Sequence, residues 1–278
     1  MKAIFDTLSH DISILTTKRY STSFSLGIRF LDKSIRKPIY AIYGFVRFAD
    51  EIVDSFHNFD KASLLNDFKN QTYQAIDHGI SLNPILNSFQ WVVNTYEIPM
   101  SLIEKFLASM EMDLNKQKYD QKRYEEYILG SAEVVGLMCL KVFVKGDKES
   151  YDNLTFEAMK LGSAFQKINF LRDLKADFKE LGRTYFPGVD LNTFNASVKK
   201  EIEQDIEQDF KTGYEGILKL PKSARFGVYM AYIYYSKLFE KIKDTQPEII
   251  LNSRIRITNK RKFSLFCYSF LKHNLNLI

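Results

Sequence analysis

An all-α fold, built as a single domain over residues 1–278, is what this sequence predicts, and three observations predict it. Apolar residues recur at helical spacing nearly everywhere. Six prolines and twelve glycines are few for 278 residues, and no Gly/Ser-rich or Pro-rich tract divides the chain. A hydrophobic content of 45% at this length is enough to bury a large core.

The spacing places helices near residues 2–15, 18–28, 35–56, 61–78, 83–95, 100–117, 121–145, 148–181, 195–219, 222–245 and 258–274. Pro84, Pro99 and Pro221 each stand near a helix start, where a missing N–H costs nothing. Pro38 fixes a helix-compatible φ at the first turn of the 35–56 helix, and Gly44 is the one further break before Asp54. Near the start of the 18–28 segment, Tyr20, Ser21, Thr22, Ser23, Phe24 and Ser25 gather hydroxyls that either cap a helix or meet phosphate oxygens at its end. Gly130, Ala132 and Gly136 sit among bulky neighbours in the 121–145 helix, giving either close helix contact or room for a ligand. The acidic run Glu201–Phe210 reads as a solvated face.

Charge and cysteine usage narrow the function classes. Cys139 and Cys267 stand alone in apolar surroundings, as buried thiols of a reducing compartment do, and the four histidines form no zinc-ligand spacing. The N-terminus lacks an apolar signal core, and no stretch reaches the roughly 18 apolar residues of a membrane span, so a cytoplasmic location is expected. The net charge of +5 is concentrated after Leu251, where Arg254, Arg256, Lys260, Arg261, Lys262 and Lys272 face no acid. With Phe263, Leu265, Phe266 and Phe270 this tail reads as an amphipathic helix that either docks on the inner face of an anionic membrane or packs into the domain. No nucleic-acid motif accompanies it.

The chemistry is concentrated in two stripes. Tyr43, Arg47, Asp50 and Asp54 stand at helical offsets 0, 4, 7 and 11, within about 100° of one face, opposite apolar Ile42, Phe45, Val46, Ile52 and Val53. Gln166, Asn169, Asp173 and Asp177 repeat the design at offsets 0, 3, 7 and 11. Facing columns of this kind make a carboxylate-lined cleft, in which repulsion demands cations. Hard oxygen ligands suit Mg²⁺ shared with substrate phosphates, with Mn²⁺ as a substitute. Arg183, in a Gly-Arg-Thr-Tyr-Phe-Pro turn just beyond the second stripe, is placed to reach a phosphate. The 23 Phe and 16 Tyr are many for a helical protein; most belong to the core, and an aromatic-lined cavity would also stabilise a carbocation while excluding water.

In ordered combination these motifs resemble the squalene and phytoene synthase family. The resemblance covers nearly the whole chain and rests on Tyr20–Ser25, Tyr43, Arg47, Asp50, Asp54, Gly130–Gly136, Gln166, Asn169, Arg172, Asp173, Asp177, Arg183, Tyr185, Pro187, Tyr234 and Arg254. It implies the isoprenoid synthase fold, antiparallel helices around a central cavity, and Mg²⁺-dependent head-to-head condensation of two prenyl diphosphates in carotenoid biosynthesis. It further implies metal ligation by Asp50, Asp54, Asn169, Asp173 and Asp177, with Tyr43 and Arg47 catalytic beside the four aspartates. Tyr20, Ser21, Thr22, Ser23, Phe24, Tyr43, Arg47, Gln166, Arg172, Arg183, Tyr185, Tyr234 and Arg254 are the implied substrate contacts. Geranylgeranyl diphosphate, going to phytoene without NADPH, is the favoured expectation; farnesyl diphosphate, going to squalene or dehydrosqualene, is the alternative. The chain departs from the family pattern at Leu129, Glu133 and Ala176, and Glu133 bears on the shape of the tunnel.

Overall fold

The computed structural model describes residues 1–115, 119–177, 183, 185–189 and 193–257. These form α1 (Lys2–Tyr20), α2 (Thr22–Arg29), α3 (Lys33–Ser55), α4 (Lys61–His78), α5 (Pro84–Tyr96), α6 (Met100–Met112) and α7 (Gln121–Ile128). A π-helical turn (Leu129–Glu133) leads into α8 (Val134–Phe143), and α9 (Lys148–Ala176), α10 (Ala196–Lys219), α11 (Lys222–Lys243) and α12 (Pro247–Ile250) follow. No strand occurs among the described residues. The predicted 258–274 helix, with Lys260, Arg261, Lys262, Lys272 and Cys267, lies outside them, and no helix within them is long and apolar enough to cross a membrane.

The helix boundaries follow local chemistry. Side-chain caps from Asp32, Asp60, Asn83, Asp120, Asp147 and Asn195 satisfy the free amides that open α3, α4, α5, α7, α9 and α10. The first break falls at Ser21, not near residue 16, because Ser21 takes an extended conformation and accepts the Phe24 amide at 3.2 Å. Asp32 starts α3 two residues earlier than expected, which puts Pro38 in the second turn rather than the first. Asp113 caps α6 five residues short of the predicted end, and α12, begun by Pro247, is an element that the apolar spacing does not signal.

The largest departure lies in the predicted 121–145 helix, where the π turn separates α7 from α8. Small residues here serve close packing. A Cβ on Gly130 would lie 2.6 Å from the Lys105 carbonyl and the Ser109 side chain, so α6 meets this turn backbone to backbone. Gly162 of α9 sits against the Ala132 carbonyl and Gly136 against the Ala158 carbonyl in the same way. Yet Ser131, Ala132, Val135 and Gly136 also line the central cavity, so close contact and room for a ligand hold at once in this segment.

Phe45 anchors the core between α3, α5 and α6. It is fully buried, stacks on Phe89 at 3.8 Å between centroids and tilts against Phe106 at 5.3 Å. The apolar back of α3 is thereby fixed, and its polar stripe faces the cavity. The acidic segment of α10 is not uniformly solvated as expected: Asp209 is buried, accepting from Ser163 Oγ and Lys167 Nζ at 2.7 Å each. A buried carboxylate is tolerable because these α9 donors meet it. Glu133 faces Lys160, Lys167 and Asp209 rather than the tunnel, and burial raises its pKa.

Gly130→Val is expected to lower stability by about 1–3 kcal/mol, since the α6 backbone cannot recede without repacking. A urea midpoint unchanged from wild type would contradict the backbone contact.

Candidate functional site

A cavity of roughly 1280 Å³ runs between α2, α3, α8, α9, α10 and α11. That exceeds the range of about 300–1,000 Å³ usual for small ligands, and its inner walls are largely apolar. Every residue of the two predicted stripes lines it, as do Tyr20–Phe24, Arg172, Arg183, Tyr185, Tyr234 and Arg254. The structure therefore brings together side chains more than a hundred residues apart.

At the mouth, carboxylates and arginines alternate. Arg47 Nη1 lies 2.5 Å from Asp50 Oδ2, and its other nitrogen binds Glu51. Arg172 grips Asp173 at 2.5 Å, and Arg254, from the segment after α12, reaches the same carboxylate at 2.7 Å. Arg183 donates to Asp54 at 2.7 Å, to the Asp113 carbonyl at 2.7 Å and to Tyr185 Oη at 3.3 Å. Arg183 is buried and occupied, so here it is a counter-ion that ties α3 to α6 rather than an open phosphate contact. Asp113 is in turn held by the hydroxyls of Tyr127 at 2.6 Å and Tyr185 at 3.2 Å.

Several titrations are displaced. Burial and the charge of Asp54 push Asp50 up to about 7; its side chain keeps 35% exposure, so solvent moderates the effect. Burial, then Asp173 and Asp54, push Asp177 up to about 8, which places the two stripes within electrostatic reach of each other. Burial raises Asp113 to about 6 against the pull of Arg183. Tyr43 is pushed up to about 12 by burial and is a neutral donor at working pH. The Arg47 guanidinium lies over the Tyr20 ring at 4.4 Å, and its Nε is buried with no partner among the described residues. An unmatched buried cationic donor at a cavity wall calls for an anion.

The hydroxyls of Tyr20–Ser25 divide between capping and lining: Ser21 caps α2, while the segment as a whole lies on the cavity wall. Phe24 sits 5.8 Å from the Tyr43 ring and 6.1 Å from that of Tyr235, which stacks on Phe165 at 4.1 Å. Asn169 accepts from Tyr235 at 3.2 Å and donates to Gln166 at 3.4 Å. Sequence reasoning misses Glu51, Asp113, Tyr127 and Tyr235. Glu51 and Tyr235 are discoverable as neighbours of Asp50 and Tyr234. Asp113 carries no signal, because its partners are remote in the chain.

No three His, Cys, Asp or Glu side chains among the described residues converge to hold a metal unaided. The donors are instead oxygen pairs on facing helices, with the negative charge crowded enough to shift their titration. That set suits Mg²⁺ bound by one or two carboxylates and completed by water and phosphate oxygens, so the residues fit the expected ion.

The architecture, an all-α barrel of helices around an apolar cavity with an acidic and basic mouth, is that of the isoprenoid synthases. A crystal structure of a dehydrosqualene synthase with a ligand superposes with a TM-score of 0.81 over 98% of both chains at 21% identity. The sequence profile of squalene/phytoene synthase matches residues 17–261, and the chain belongs to the squalene/phytoene synthase family, a group of prenyltransferase-type enzymes. Among curated relatives, 4,4'-diapophytoene synthase of Staphylococcus haemolyticus is 28% identical over 68% of this chain and 65% of its own length. Phytoene synthase 1 of Solanum lycopersicum is 25% identical over 81% of this chain and 58% of its own. The chain thus spans somewhat less than two thirds of the length of these two relatives.

Asp50, Asp113 and Asp177 have folded-state pKa values above their unfolded ones. Their protonation stabilises the fold fully below about pH 4, and that contribution is lost as pH rises through 6 to 8. With chelator present, melting temperature is expected to fall from pH 5 to pH 8. Asp177→Asn should flatten the fall and raise the pH 8 value by about 2–4 °C, the equivalent of roughly 1 kcal/mol. A variant that melts below wild type at pH 8 would contradict this.

Proposed function

We propose that this chain catalyses the Mg²⁺-dependent head-to-head condensation of two geranylgeranyl diphosphates to phytoene. The observation that carries the reading is one apolar cavity of roughly 1280 Å³, large enough for two prenyl chains, opening at paired aspartate and arginine stripes. Membership of the family supports prenyl diphosphates as substrates.

The protein's part in the reaction is to orient, neutralise and keep dry. Asp50, Asp54, Asn169, Asp173 and Asp177 would hold Mg²⁺, which when bound supplies positive charge to the diphosphate leaving group. Tyr43 donates a hydrogen bond as a neutral phenol, and Arg47, Arg172 and Arg254 turn from carboxylates to diphosphate oxygens. Ionisation of one substrate releases its diphosphate and gives an allylic cation; the double bond of the second attacks it, and loss of a proton to the released diphosphate closes the cyclopropane ring. The resulting cyclopropylcarbinyl diphosphate ionises again and rearranges to a 1-1′ linked cation. The rings of Phe24, Phe165, Phe170 and Tyr235 offer their faces to these cations where water is excluded. Loss of a proton, with no NADPH, ends the sequence.

A second reading, farnesyl diphosphate converted to a dehydrosqualene or squalene product, is favoured by the likeness to a diapophytoene synthase and to a dehydrosqualene synthase structure. Incubation with C15 or C20 diphosphate and Mg²⁺, with and without NADPH, separates the two: phytoene from C20 alone is expected. A C30 product, or no product until NADPH is added, would overturn the C20 assignment. Asp50→Asn and Asp173→Asn are each expected to lower turnover at least 100-fold, the scale of losing a preorganised charge contact, without loss of helicity by circular dichroism. Turnover within tenfold of wild type in either variant would remove these residues from the reaction.

A further inference from the structure

The cavity does not end in hydrocarbon alone. Along α9 its wall runs through Asp177, Asp173, Asn169, Gln166, Phe165, Gly162, Leu161, Ala158 and Glu157 to Leu154, a continuous helical stripe. The charged residues on the cavity wall belong to the mouth or to its Arg183–Asp113 tie, with the exception of Glu157. Its neighbours at that end are Leu154, Ala158, Leu161, Gly216, Ile217 and Leu220. Glu157 Oε1 accepts from Lys219 Nζ at 2.7 Å; the carboxylate side chain is 13% exposed and the lysine 59%. A Cβ on Gly216 would lie 2.4 Å from Glu157 Cβ, so α10 is pressed against the glutamate stem.

We propose that the Glu157–Lys219 pair is the end-stop of the tunnel and sets the longest prenyl chain it admits at C20. The inference rests on the prenyl diphosphate reading above and names the substrate length for that site. At about 1.5 Å per residue, Glu157 lies some 24 Å along α9 from Asp173. An extended chain advances about 1.1–1.2 Å per bond. A C20 tail, with sixteen bonds along its main chain, therefore spans about 18–19 Å, and a C25 tail about 22–24 Å. With a diphosphate held at the Asp173 end of the cavity adding a few ångströms, the C20 terminus would stop short of Glu157 and the C25 terminus would collide with it. A hydrocarbon end cannot replace the water and lysine that solvate a carboxylate, so charge as well as bulk enforces the limit. The pair is held from outside by an exposed lysine, so it closes the tunnel without filling it.

The test measures binding of non-ionisable C15, C20 and C25 thiolodiphosphates in the presence of Mg²⁺, using the full-length wild type, Glu157→Ala and Glu157→Gln. Wild type is expected to bind the C25 analogue at least tenfold more weakly than the C20 one. Glu157→Ala should close that gap by about tenfold while C15 and C20 affinities move less than threefold. Glu157→Gln, which keeps the shape and removes the charge, should shift the ratio in the same direction by a smaller factor. Thermal melting establishes that each variant is folded. An unchanged C25 to C20 ratio in both variants, or equal weakening at all three lengths, would overturn the end-stop. Failure of wild type to bind any of the three would instead overturn the prenyl diphosphate reading and the inference with it.

Discussion

Like-charge crowding at the mouth of an apolar cavity is the constraint on which the rest of the structure depends. Four aspartates from two helices face one another where water is only partly available, and Asp50 and Asp177 have their titration displaced toward neutrality, chiefly by burial and then by the charges of Asp54 and Asp173. Such a cluster persists only if something positive answers it. In the chain as it stands, arginines do so: Arg47 for Asp50, Arg183 for Asp54, Arg172 and Arg254 for Asp173. No ion pair to Asp177 occurs among the described residues, and its carboxyl is the one pushed furthest up.

That arrangement explains how the elements are braced. The stripes hold their aim because the opposite faces of α3 and α9 are packed: Phe45 on Phe89 behind the first, and the Lys167–Asp209 pair beside the second. Arg183 reaches from beyond α9 to α3 and to the cap of α6, so one buried side chain fixes three segments at the mouth. The glycines at 130, 136 and 162 let α6, α8 and α9 approach backbone to backbone, which keeps the cavity walls continuous around the space they enclose.

Much of this is legible in the sequence, for identifiable reasons. Helical periodicity fixes which face of α3 and α9 carries oxygen ligands, so spacing alone assigns Tyr43, Arg47, Asp50 and Asp54 to one stripe and Gln166, Asn169, Asp173 and Asp177 to another, and both line the cavity. What periodicity does not carry is tertiary partnership. Asp113 reads as an ordinary acid within the predicted 100–117 helix, yet it is buried under Arg183, Tyr127 and Tyr185 because residues from two other segments converge on it. Asp209 escapes in the same way: the acidic run in α10 reads as solvated until Lys167 and Ser163 of α9 are placed against it. The π turn at Leu129–Glu133 is equally out of reach, since it is dictated by how closely Gly130 and Ala132 meet α6 and α9.

The central claim is that arginine-paired carboxylates at this mouth exchange their partners for a cation and a diphosphate that bind together. Neither the acidic cluster nor the anionic ligand is satisfied alone, so each should raise the affinity for the other. Titration calorimetry with a non-ionisable geranylgeranyl thiolodiphosphate tests this directly: the account predicts tight binding with Mg²⁺ present and at least a hundredfold weaker binding in chelator, a coupling of about 3 kcal/mol. Equal affinity with and without the metal would contradict it.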